Sequence, residues 1–118
     1  MIEFTSLNEA LTILLHLPDK LFISKVLFND EVNEFNVYVD AKRGTKYECP
    51  CCYSKNKPVH DRHLRTWRHA DLCDYRLYIH YMIPRVKCDL CGVHTITVPW
   101  ARDKSRYTFS YEKYHPQT

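Results

Sequence analysis

Cys49-Pro50-Cys51-Cys52 and Cys88-Asp89-Leu90-Cys91 constrain this chain more than any other feature. Two intervening residues let both sulfurs of such a pair converge on one ion. Two pairs then give the tetrahedral four-sulfur coordination that suits Zn²⁺. The predicted ligands are therefore Cys49, Cys52, Cys88 and Cys91. The 35 residues between the pairs are enough for one long β-hairpin, the layout of a zinc ribbon. Gly92 follows the second pair and suits the sharp turn there. Two disulfides or an iron–sulfur cluster would use the same cysteines. The N-terminus has neither a basic n-region nor a cleavage pattern, so a reducing cytoplasm is the expected compartment, and zinc is favoured there. Four protein ligands leave no position for a catalytic water, which makes the expected site structural.

Two cysteines remain. Cys51 lies between ligands and reads as a bystander, although it could replace a neighbour. Cys73 reads as core. His60, His63 and His94 are near enough in sequence to substitute for a cysteine, but four thiolates make that unnecessary.

The charge is unevenly placed. Residues 1–41 hold two basic and seven acidic side chains, net −5, whereas residues 42–106 hold fourteen basic and six acidic, net +8. The positive charge travels with the cysteines, and asymmetry of this kind points to an acidic partner, nucleic acid foremost. Lys55, Lys57, Arg62, Arg65, Arg68, Arg85 and Lys87 are the candidate DNA contacts. Arginine forks onto phosphate or guanine, and lysine supplies point charge and counterion release. The bland alternative is a solvated hairpin with ion pairs to Asp61, Asp71 and Asp74. Trp67 and Trp100 read as core anchors ahead of stacking platforms.

Hydrophobic spacing predicts a helix over residues 6–17. Ser6 caps it, Glu9 completes a capping box, Leu7, Ala10, Leu11, Leu14 and Leu15 share one face, and Pro18 stops it. Strands are predicted at 21–28 and 34–40, joined by Asn29-Asp30-Glu31, with Phe35, Val37 and Val39 facing inward. A further strand covers 74–83, Pro84 interrupts it, and a β-branched run follows at 94–98. From Arg102 onward the chain reads as an unpatterned tail. The fold class is α+β: a small zinc-ribbon-like β domain with an N-terminal helix and β-hairpin. Its divisions are 1–46, 47–106 and a tail, 107–118.

Catalytic patterns are poor. No serine sits in a nucleophile elbow, no glycine loop could cradle phosphate, and the acidic residues of the basic half are isolated. No apolar stretch is long enough to span a membrane.

Several strings resemble the N-terminal zinc-finger domain of bacterial insertion-sequence transposases of the ISL-three family. They are Cys49-Pro50-Cys51-Cys52, Val59-His60-Asp61-Arg62, Leu64-Arg65-Thr66-Trp67-Arg68-His69, Pro84-Arg85-Val86-Lys87-Cys88 and Val98-Pro99-Trp100-Ala101-Arg102. Tyr53 stands where that family usually has glycine, so the first knuckle is expected to turn differently. Family members continue into a helix-turn-helix and a catalytic domain with an acidic triad. The resemblance therefore implies a front module that recognises the terminal inverted repeats of a mobile element and performs no strand transfer itself. The partners it implies are DNA and, by a different reading, a second copy or a full-length transposase, joined through a protein-interaction ribbon that serves oligomerisation or inhibition.

Overall fold

The computed structural model describes residue 3 and residues 5–114. Helix α1 spans Leu7–Leu14. Ser6, in extended conformation, accepts the Glu9 backbone N–H on Oγ at 3.1 Å. The Glu9 carboxylate reaches back one residue further than a capping box requires, accepting from the backbone N–H and hydroxyl of Thr5. The helix ends earlier than the predicted 6–17. His16 is left-handed (φ 55°), and the Leu17 and His16 amides close onto the carbonyls of Thr12 and Ile13. That Schellman closure stops the helix before Pro18 can. The apolar face is narrower than the five-residue stripe. Leu11 and Leu15 are buried, while Leu7 and Leu14 are exposed.

The strands are β1 (Leu21–Asn29), β2 (Glu34–Ala41), β3 (Val59–Leu72), β4 (Tyr75–Cys88) and β5 (Gly92–Thr95). They form one sheet in the order β1-β2-β4-β3, with β5 paired to the end of β4. Antiparallel pairing joins β1 to β2, β3 to β4 and β4 to β5; β2 and β4 run parallel. The sheet thus crosses the boundary drawn at residue 46, and one core cluster draws on both sides of it.

The β3–β4 hairpin fills the interval between the two cysteine pairs. Its two-residue turn is Cys73-Asp74, with φ of 50° and 67°. Positive φ at both central residues is the type I′ geometry that matches the strand twist. Cys73 is exposed there, not in the core as the sequence suggested. Pro84 does not interrupt β4 either. Its carbonyl accepts from the Ile96 amide, so its ring nitrogen faces that same edge. β2 pairing ends at Tyr81 and β5 pairing starts at Arg85, so the missing N–H falls where β4 changes partner.

Alternation divides the sheet into two faces. Val37, Val39, Trp67, Leu77, Ile79, Tyr81 and Ile83 form the inner face, covered by α1 and by the segment carrying Trp100 and Ala101. Trp100 meets Trp67 and Tyr81 edge-on, with centroids 5.3 and 5.9 Å apart. Both tryptophans are buried, in keeping with their reading as core anchors. Phe22, Leu27, Leu64 and Met82 lie on the other face and are exposed.

The segment after Arg102 is not a loose tail within the described residues. Arg106 and Thr108 bond the backbone of Arg68 along the outer edge of β3, and helix α2 (Phe109–Tyr114) follows. Thr108 is fully buried, with its hydroxyl on His69 Nδ1 at 2.9 Å. This segment covers what would otherwise be an open sheet edge.

Leu11→Ala is expected to cost about 2–5 kcal/mol of stability in urea denaturation. Leu14→Ala, on the same helix, should change it by less than about 0.5 kcal/mol. Equal losses would contradict the burial described.

Candidate metal centre

The first ligand pair sits in a tight loop before β3. The Tyr53 amide donates to the Cys49 carbonyl (2.8 Å), the Cys49 amide to the Ser54 carbonyl (2.9 Å), and the Cys51 amide points at Cys49 Sγ (3.4 Å). The second pair occupies the β4–β5 turn, where Cys88 and Gly92 are cross-strand partners. The sulfurs of Cys49, Cys52, Cys88 and Cys91 all lie within 4.8 Å of one another, and Cys52 and Cys88 are 3.6 Å apart. A Zn–S bond of about 2.3 Å requires sulfurs about 3.8 Å apart at tetrahedral corners. The cluster therefore fits a Zn²⁺ site. None of the six cysteines forms a disulfide.

The electrostatics of the thiols agree with that fit. Ser54, through its hydroxyl first and then its backbone, draws the Cys52 thiol down to about 6. Cys91 is pushed well above the usual thiol range, chiefly by its contact with Cys52 and then by desolvation. Four sulfurs this close cannot all become thiolates by themselves; a dication removes the conflict.

Tyr53 takes φ of 64° after Cys52, and Gly92 takes φ of 80° after Cys91. Both knuckles close through a left-handed residue. The first therefore turns as a glycine would turn it, although a tyrosine occupies the position, contrary to the expectation of a different turn. Cys51 is exposed and outside the four-sulfur cluster, as are His60 and His63. His94 is not a ligand. Its Nε2–H donates to the Cys91 carbonyl at 2.6 Å, holding the second knuckle from behind.

The basic residues do not form one uniform surface. Lys55, Arg62 and Lys87 are exposed, and Lys57 is half-buried. Arg85 forks onto Asp61, and that guanidinium holds the Asp61 carboxyl below the usual carboxylate range. Arg65 lies 5.0 Å over Trp67 and donates to the Ser105 carbonyl. Arg68 pairs with Asp71 at 2.6 Å and lies over both Tyr78 and Tyr111. Ion pairing to Asp61 and Asp71 thus follows the bland reading of the hairpin. Tyr78, Tyr107 and Tyr111 were not singled out from the sequence. The alternation along β4 was their only signal, and the tail carried none.

A four-cysteine cluster joining two knuckles across a β-hairpin defines a zinc-finger domain. Residues 46–91, about two fifths of the chain, match the family model for the zinc-finger of transposase IS204/IS1001/IS1096/IS1165. The matched segment starts just before the first knuckle and ends on Cys91, so it includes all four ligands. No curated protein and no solved structure matches the chain.

Purified under reducing conditions, the protein should carry one zinc per chain by mass spectrometry. Cys88→Ser should lower zinc affinity by more than tenfold in a chelator competition. Tyr53→Gly should raise the stability of the zinc-loaded protein by about 1 kcal/mol, because glycine carries no left-handed penalty. A loss of stability would show that the tyrosine ring holds the loop by other means.

Proposed function

We propose that this domain is a zinc-ribbon DNA-recognition module, binding element-end DNA in the transposition of an insertion sequence. The observation that carries this reading is the match of the cysteine segment to a transposase zinc-finger, with exposed lysines set beside the metal cluster. Lys55 follows the first knuckle and Lys87 precedes Cys88. Lys57 and Arg62 extend the same basic end.

In this reading Lys55, Lys57, Arg62 and Lys87 contact phosphate or base edges. Arg65, Arg68 and Arg85 already hold intramolecular partners, so they contribute field and fix the hairpin surface. Zinc acts by structure: it locks the knuckles so that the flanking cations keep fixed positions. The domain itself carries out no strand transfer in this reading, and the cytoplasm is its compartment. No helix among the described residues is long and apolar enough to cross a membrane.

A second reading, a protein-interaction ribbon that joins transposase subunits, draws on one observation. Leu7, Ile13 and Leu14 leave α1 with an exposed apolar flank. Light scattering of the DNA-free protein distinguishes the two, since a stable dimer would favour it.

Gel-shift titrations on terminal-repeat and scrambled duplexes at several salt concentrations test the DNA reading. Tighter binding to the terminal repeat is expected, falling steeply with salt. Lys55→Ala should weaken binding on both duplexes and reduce the salt slope by about one unit. Absence of binding to either duplex, or binding indifferent to salt, would reject it.

A further inference from the structure

The outer face of the sheet carries a ladder of aromatic and cationic side chains that the zinc end does not use. Register places Lys25, Tyr38, His80 and Thr66 side by side across β1, β2, β4 and β3. Lys25 Nζ lies 4.6 Å from the centre of the Tyr38 ring, which stacks on His80 at 4.6 Å and 20°. His80 is fixed at both nitrogens, by the Thr66 hydroxyl (2.8 Å) and by Asn36 Oδ1 (2.7 Å). As Asn36 Oδ1 can only accept, Nε2 carries the hydrogen and Nδ1 accepts from Thr66. The next row runs Asn36, Tyr78, Arg68, and then Tyr107 on the strand-like segment beside β3.

The second row opens into a cleft of about 360 Å³ lined by Thr66, Arg68, Tyr78, Arg106, Tyr107 and Tyr111. Tyr107 and Tyr111 stack face to face at 4.7 Å and 15°. The Arg68 guanidinium lies 5.5 Å from the Tyr78 ring and 5.2 Å from Tyr111. Arg106 is exposed at the cleft. Neither Arg106 nor Lys25 makes an ion pair among the described residues.

We infer that this cleft and the adjoining ladder bind unpaired nucleic acid, with a base stacked in the tyrosine-lined cleft and its phosphate on Arg106. Aromatic rings presented on an open sheet need an exposed base face, which a duplex hides in its own stack. Charge selects the occupant. Arg106 and Lys25 suit a polyanion, while polar Asn36 and Thr66 break up the exposed Leu27, Leu64 and Met82, which would otherwise form an apolar docking patch. The cleft is also separate from the zinc end. Arg68 lies nine residues along β3 from Val59, about 30 Å at strand rise. The inference shares with the duplex reading only that the ligand is nucleic acid.

The test uses the zinc-loaded protein and a fluorescein-labelled single-stranded DNA of mixed sequence, about 12 nucleotides long, followed by anisotropy. The same sequence as a duplex serves as comparison. The single strand should bind. Tyr78→Ala and Arg106→Ala should each weaken it about tenfold while changing duplex binding less than about twofold. Lys55→Ala should do the reverse. Arg106→Ala alters an exposed side chain, so it decides the matter if Tyr78→Ala fails to fold. The inference is overturned if the single strand does not bind, if both variants bind it like the unaltered protein, or if Arg106→Ala breaks up a dimer seen by light scattering. In the first two cases intact duplex binding would leave the terminal-repeat reading standing.

Discussion

Sulfur–metal coordination is the constraint on which the arrangement depends. Cys49 and Cys52 lie before β3, Cys88 ends β4 and Cys91 follows it, so one ion closes the 35-residue interval that the hairpin fills. Structural zinc contributes on the order of 10–16 kcal/mol in small domains. Whole domains are stable by only about 5–15 kcal/mol. A short loop such as 49–54, with two backbone hydrogen bonds of its own and one amide aimed at a ligand sulfur, does not hold its shape on those alone. The buried pair, Cys49 and Cys88, anchors the ion to the protein interior, while Cys52 leaves it near the surface.

The parallel contact between β2 and β4 is the second constraint. It brings the acidic N-terminal hairpin into the same sheet as the basic hairpin, and α1 then seals the inner face shared by both. Parallel strands need a long crossover. Here the crossover contains the first knuckle and all of β3. The metal loop is therefore part of the connection that makes the sheet possible.

Much of this was readable beforehand because its signals are local. The cysteine spacing gave the predicted ligands, alternation in Phe35–Val39 gave a strand and its inner face, and residues 74–83 gave a second strand. Ser6 gave the helix cap. What was missed depends on partners distant in sequence. Pro84 looks like a breaker until one sees that β4 changes neighbours there. Cys73 looks like core beside Leu72, yet it occupies a turn whose type is set by the pairing of strands on either side. The segment after Arg102 has no period because its order comes from the edge of β3, through Arg68 and His69. The ladder of Lys25, Tyr38, His80 and Thr66 is invisible in one dimension, since register alone assembles it from four strands.

One consequence of the strand order concerns orientation in space. The β1–β2 hairpin, whose Asp30, Glu31, Glu34 and Asp40 outnumber its one lysine, occupies one side of the sheet, and the strands from the cation-rich half of the chain occupy the other. The molecule is thus an electric dipole lying across its own sheet. Close to any polyanion it experiences a torque as well as an attraction, turning the β3–β4 side inward and the acidic turn between β1 and β2 away. Which side of the protein arrives first is settled before a single contact forms.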